Sequence, residues 1–136
     1  MMYLLDTNVL SYYLRKQFPP LSAKFKQGSL DKIIAISAVV RAEALHGAAL
    51  MQPQDKRREA IQALVNEIPT LAWGSKHADV YAQINANLTR NGQLIGMADV
   101  MIAAHALVED LVLVTHNVKH FERIPNLRIE DWIQAA

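Results

Sequence analysis

Three acids in this chain interrupt or border apolar stretches. Asp6 follows Met2-Tyr3-Leu4-Leu5, Glu43 falls in the alanine-rich stretch beyond Ser37, and Asp99 precedes Val100-Met101-Ile102-Ala103-Ala104. Carboxylates that meet in one cleft repel one another, and one or more then takes up a proton. A divalent cation removes that conflict. The sequence has no cysteine, so disulfides and thiolate metal sites are excluded. An oxygen-rich cluster suits Mg²⁺ or Mn²⁺ better than zinc. Magnesium keeps several waters and binds one or two carboxylates together with substrate phosphates. The chemistry such a cluster supports is metal-assisted phosphodiester cleavage, in which a bound water loses its proton more easily and the leaving oxygen is steadied.

Those acids need elements to bring them together. Residues 2–5 form a short apolar run, a buried strand ending at Asp6-Thr7-Asn8, and a helix follows with Thr7 or Asn8 near its cap. Pro19-Pro20 break that helix, and residues 21–27 resume as a second one ended by Gly28. Residues 33–36 are a second β-branched run, ending at Ser37. Helices are expected over 39–51, 55–67 and 75–90, with a short strand at 70–73; Val80, Ile84 and Leu88 make an apolar stripe. An apolar helix occupies 100–108, a strand 111–114 ends at Thr115-His116-Asn117, and a last strand lies near 127–129. Continuously apolar strands alternating with helices argue an α/β fold, one domain over 1–136, with a parallel sheet covered on both faces.

In such sheets ligands gather beyond the carboxyl ends of the strands. Three strand ends deliver polar residues there: Asp6-Thr7-Asn8, Ser37 with Glu43 in the following helix, and Thr115-His116-Asn117. Glu43 lies about 9 Å along the helix axis from Ser37, close enough to reach back over the sheet edge. Asp99 opens its helix after a glycine, where the positive end of the dipole favours an anion.

The formal charge is +1, so a polyanionic partner must be held by a local patch. Arg15, Lys16 and Arg41 are the phosphate-contact candidates, whereas Lys56-Arg57-Arg58 reads as a solvated face. Tyr12 or Tyr13 could stack on an unpaired base, with the other in the core. His116 and His120 have the i, i+4 spacing of a helical zinc pair, but no glutamate lies between them and a proline-ended loop follows. His105 reads as a packed core residue and His46 as a groove-lining one. No basic leader precedes the first carboxylate and no apolar run approaches a membrane span, so a cytoplasmic protein is expected.

The ordered blocks Leu4-Leu5-Asp6-Thr7-Asn8-Val9-Leu10, Ile34-Ala35-Ile36-Ser37 with Ala42-Glu43-Ala44-Leu45-His46-Gly47, Ile95-Gly96-Met97-Ala98-Asp99-Val100, Leu113-Val114-Thr115-His116-Asn117 and Phe121-Glu122-Arg123-Ile124-Pro125 resemble those of PIN-domain ribonucleases. The overall likeness is to the VapC toxins of bacterial type II toxin–antitoxin pairs. The resemblance implies a three-layer α/β/α fold with a parallel five-stranded sheet, a homodimer, and an antitoxin whose tail fills the active-site groove. It implies a magnesium-dependent endoribonuclease in which Asp6, Glu43 and Asp99 are the catalytic, metal-binding acids. Asn8, Ser37 and Thr115 would hydrogen-bond the carboxylates or metal waters. A fourth acid is frequent in the family where this chain has Asn117, an amide that adds no charge. The alternative is a PIN-fold binding module that has lost catalysis. A phosphoacceptor domain would need an acidic pair at the first strand, and a haloacid-dehalogenase-like phosphatase would need Asp at position 8; both patterns are missing.

Overall fold

Short runs of leucine, isoleucine and valine form the sheet of this protein, and alanine-rich or amphipathic stretches form the helices around it. The computed structural model describes residues 2–133. In chain order the elements are β1 (Tyr3–Leu5), α1 (Thr7–Arg15), α2 (Pro19–Leu30), β2 (Ile34–Ser37), α3 (Ala38–Ala49), α4 (Lys56–Glu67), β3 (Thr70–Leu71), α5 (Ser75–Arg90), α6 (Met97–Val108), β4 (Val112–Val114), α7 (Val118–Phe121) and β5 (Ile129–Glu130). All strand pairings are parallel and the sheet runs β3-β2-β1-β4-β5.

β1 sits at the centre, with Leu4 opposite Ala35 of β2 on one side and Leu113 of β4 on the other. The chain moves outward through β2 and β3, then crosses back to β4. That reversal leaves a crevice beyond the carboxyl ends of β1 and β4, because successive right-handed crossovers place the flanking helices on opposite faces. All four residues of β2 are buried, alternating between both faces, so both faces are covered by helices. The core runs from Leu4, Leu5 and Ile36 in the sheet to Val40, Val65, Val100, Ile102 and Phe121 in the helices, each fully buried.

Three local features differ from the sequence-based expectation. The α1 cap is Asp6 itself, not Thr7 or Asn8; its carboxylate takes the Thr7 N–H. Gly28 does not end α2, which continues to Leu30. Its role is close approach: a Cβ there would lie 2.6 Å from Cγ2 of Ile34, so the missing side chain lets α2 pass against β2. A short helix, α7, occupies the segment read as loop, beginning just after Asn117.

Gly28→Ala is expected to destabilise the protein by about 1 to 3 kcal/mol through overpacking, read as a lower urea midpoint with an unchanged slope. Gly47→Ala, whose Cβ meets nothing within 4 Å, is the matched control and should leave stability level or raise it. Equal losses in both variants would remove the packing explanation.

Candidate active site

β1 ends at Asp6, whose N–H still donates across the sheet to the Val114 carbonyl at 3.0 Å. Asp6 then turns the chain into α1. Its Oδ1 accepts the Thr7 N–H at 2.6 Å and its Oδ2 accepts the Thr115 hydroxyl at 2.8 Å. Thr7 also donates its own hydroxyl to Oε1 of Glu43 at 2.6 Å, drawing the α3 acid to the β1 end. Asp99 comes from the first turn of α6, after Gly96, which caps that helix with φ of 108° and ψ of 147°. That backbone region is essentially glycine's own, so the entry angle of Asp99 depends on the missing Cβ. Beside Asp99, Nδ1 of His120 lies 3.9 Å from Oδ2, and the Asn117 side-chain amide donates to the same ring nitrogen at 2.7 Å.

The electrostatics follow from this crowding. Burial pushes the Asp6 carboxyl up to about 6; the charges of Asp99 and Glu43 push the same way, against the hydrogen bonds from Thr115 and Thr7. Asp99 is also raised, first by burial and then by Glu43, with His120 opposing. Asp6 and Asp99 therefore lie in one field, with Glu43 contributing to it, in which the charged form of each is disfavoured. Beside Thr7 and Glu43 a cavity of about 150 Å³ opens between α1, α3 and α4, lined with Leu10, Leu14, Leu64 and Val65.

A second cluster of possible metal ligands lies elsewhere: His77, His105 and Glu109 bring one ligand atom each within 4.8 Å of one another. Hydrogen bonding argues against a cation there. The Gly74 N–H donates to Nδ1 of His77 at 2.8 Å, so the ring proton sits on Nε2, 3.1 Å from the Glu109 carboxylate. The Ser37 hydroxyl oxygen accepts the Val39 N–H at 3.1 Å and is free to donate to Nδ1 of His105 at 2.8 Å. Nε2 of His105 lies 3.6 Å from the same Glu109 oxygen, beyond hydrogen-bond distance. Nε2 of His77, which faces Glu109, is therefore a donor without a free lone pair. The trio is a clamp between α5 and the end of α6, with both histidines buried and Glu109 exposed. Burial, with His77 close by, lowers His105 to about 4 and keeps it neutral.

The residues singled out from the sequence thus separate. Asp6, Glu43, Asp99 and Thr115 come together, and Asn117 joins them by donating its N–H to the Thr115 hydroxyl oxygen at 3.0 Å. Ser37 is fully buried and turned to His105, not to the carboxylates. Asn8 is exposed on α1, with no hydrogen bond to an acid among the described residues. Arg41 is committed inside the fold, donating to the Val65 carbonyl at 2.9 Å and to Oδ1 of Asn66 at 2.8 Å. It ties α3 to α4, which displaces the phosphate-contact expectation. Arg15 lies over the Tyr12 ring at 5.3 Å, and Lys16 caps the same helix end, about 12 Å along the axis from Thr7. Tyr13 is the packed tyrosine, stacked on Phe25 at 3.8 Å. His116 and His120 diverge, since His116 pairs with Asp131 at 2.9 Å.

Two residues take roles that the sequence pattern does not assign. Thr7 stands at the first strand end, where its hydroxyl tethers Glu43. His120, weighed only as a zinc partner of His116, pairs instead with Asn117, three residues before it and on the same face.

A doubly covered parallel sheet, with carboxylates gathered beyond its central strand, defines the class of α/β proteins that seat a ligand at the switch in strand order. The PIN domain family matches residues 3–127, and the chain belongs to that family. It is similar to Ribonuclease VapC2 of Rickettsia felis, 31% identical over 97% of this chain and 98% of that one. It is also similar to the tRNA(fMet)-specific endonuclease VapC of Shigella flexneri, 33% identical over 96% and 97% of the two chains. Among solved structures it matches VapBC2 from Rickettsia felis bound to a promoter DNA fragment, with a TM-score of 0.86 and 30% identity over 97% of this chain and 99% of that one.

A folded carboxyl near 6 against about 3.9 in the unfolded chain means the folded state binds the extra proton between those pH values. Stability contributed by the protonated form is then lost as pH rises from about 4 to 6, at a full cost of roughly 1 to 3 kcal/mol. Asp6→Asn is expected to raise the melting temperature at pH 7.5 in EDTA, with the gap narrowing steadily toward pH 4. Calorimetry at both pH values checks this, and an unchanged or lower melting temperature at pH 7.5 would contradict it.

Proposed function

We propose that this protein is a Mg²⁺-dependent endoribonuclease, the toxin member of a VapBC-type toxin–antitoxin pair, hydrolysing RNA phosphodiester bonds. The observation that carries the reading is the meeting of Asp6, Glu43 and Asp99 at the β1 end, with Asp6 pushed to about 6. An all-oxygen donor set whose members repel one another fits a hard divalent cation, and PIN nucleases generally use one. Asp6, Glu43 and Asp99 would hold Mg²⁺, with Mn²⁺ a substitute. When bound, the cation lowers the pKa of a water and offsets charge on the leaving oxygen.

The chain's own groups orient these acids. Thr7 and Thr115 occupy one acceptor position on each Asp6 oxygen, fixing the plane of the carboxylate while other lone pairs remain available. Thr7 holds Glu43 so that its second oxygen is unconstrained by that bond. The apolar cavity beside Thr7 and Glu43 suits a side chain from an antitoxin segment lying over the acids. Complexes of the VapBC type among the structural relatives support that partner. A homodimer acting in the cytoplasm completes the reading; among the described residues no helix is long and apolar enough to cross a membrane.

Purified protein incubated with a total-RNA pool, tRNA included, is expected to yield discrete fragments with Mg²⁺ and none with EDTA. Asp6→Asn should lower the rate at least about 100-fold. Because a cation must displace the proton held by Asp6, the Mg²⁺-dependent rate should fall as pH is lowered through about 6. Cleavage that survives EDTA or Asp6→Asn would refute the three-acid site. A folded, antitoxin-free chain that cuts nothing would leave a PIN-fold binding module.

A further inference from the structure

We propose that His120 is a substrate-contact residue, its Nε2–H donating to a non-bridging oxygen of the phosphodiester seated against Asp99, with Asn117 as the positioning residue that fixes the ring. The inference rests on the ribonuclease reading and deepens it. Asn117 donates its side-chain amide to Nδ1 of His120 at 2.7 Å, which uses the lone pair on that nitrogen and places the ring proton on Nε2. Asn117 is itself anchored, since its N–H donates to the Thr115 hydroxyl oxygen, and Thr115 in turn donates to Asp6. The orientation of His120 is therefore tied to the same strand end as the acids.

The ring stands at the mouth of the site. Its Nδ1 edge lies 3.9 Å from Oδ2 of Asp99, and the side chains are 42% and 29% exposed. Nε2 has no protein partner among the described residues, whereas the neighbouring His116 is committed to Asp131 and packs edge-on against Tyr12. Charge adds to the case. Three carboxylates and a phosphodiester are all anionic, and an N–H donor beside Asp99 offsets part of that charge. The imidazole N–H of His120 supplies that donor, and its hydrogen bond strengthens as charge grows on the phosphate oxygen during cleavage.

The test is single-substrate kinetics on a short cleaved RNA with wild type, His120→Ala, His120→Gln and Asn117→Ala, each shown to be folded by its melting temperature. Long-range ¹H–¹⁵N correlation spectra of the free wild type accompany it. The expected results are a kcat about 10- to 100-fold lower for His120→Ala. KM for RNA and the half-saturating Mg²⁺ concentration should stay within twofold. Partial recovery in His120→Gln is expected, because its amide can donate. Wild type should carry the His120 proton on Nε2. Activity of His120→Ala within twofold of wild type, no recovery in His120→Gln, or a ring proton on Nδ1 would each overturn the proposal. In those cases wild type still cleaves through Asp6 and Mg²⁺, so the ribonuclease reading stands. If wild type itself cleaves nothing, both fall together.

Discussion

Asp6 accepts hydrogen bonds at both carboxylate oxygens from two different elements, the first N–H of α1 and the hydroxyl at the end of β4, and the rest of the site is arranged around that double tether. The tether exists because β1 is the central strand and stops where the order of the sheet reverses. A residue there belongs neither to the regular ladder nor to free loop, and its backbone stays bonded to β4 while its side chain caps α1. Two opposing effects act on that carboxyl. Hydrogen bonds from Thr7 and Thr115 favour the charged form, whereas burial and two neighbouring acids favour the neutral one. Burial wins. A site that holds its carboxylate rigidly and yet penalises its charge is prepared for a cation before any cation arrives.

Holding Asp99 in place is a separate problem, because it comes from a helix on the other side of the reversal. α6 is apolar on nearly every face, and its far end carries His105 into the core against the buried hydroxyl of Ser37. That bond links α6 to the end of β2, while Glu109 and His77 link it to the start of α5. Asp99 and His105 are about 9 Å apart along one helix. Fixing the far end of a stiff rod, with the backbone turn at Gly96 fixing the near end, sets where the carboxylate lies. Ser37 therefore serves the site from a distance. Its hydroxyl pairs with Nδ1 of the buried imidazole that anchors the helix, away from the carboxylates that the motif would have it support.

Most of the architecture was legible because the pattern is simple: fully apolar runs of three or four residues cannot be amphipathic helices, and each ends in a polar residue at the same edge. Asp6 and Thr115 stand out for the same reason, since a polar residue at an apolar run's end announces itself, and Glu43 and Asp99 stand out as acids in otherwise apolar helical stretches. Residues whose roles depend on side-chain direction do not. Arg41 looked available to a phosphate because it is two residues from Glu43, but the α3 helix turns it roughly 200° away, toward α4 and β3. Gly28 looked like a stop because glycine commonly follows a helix, whereas the controlling fact was Ile34, a neighbour across the fold. His120 needed the short helix α7 to be seen before its alignment with Asn117 had meaning.

Asn117 is the position at which this chain departs from the acid frequent in the family, and the departure is coherent. A carboxylate there would add to a field in which Asp6 and Asp99 are already raised by burial and by one another's neighbours. A fourth charge would raise the repulsion that a bound cation or a proton must relieve. With an amide, one divalent cation leaves a site of three acids closer to neutrality, and the amide hydrogens are free to organise a neighbouring ring. The same substitution that removes a ligand thus supplies a donor: Asn117 gives its backbone N–H to Thr115 and its side chain to His120, joining the β4 end to the wall beside Asp99. A carboxylate at this position would add charge beside Asp6 and Asp99, whereas the amide adds hydrogen-bond donation instead.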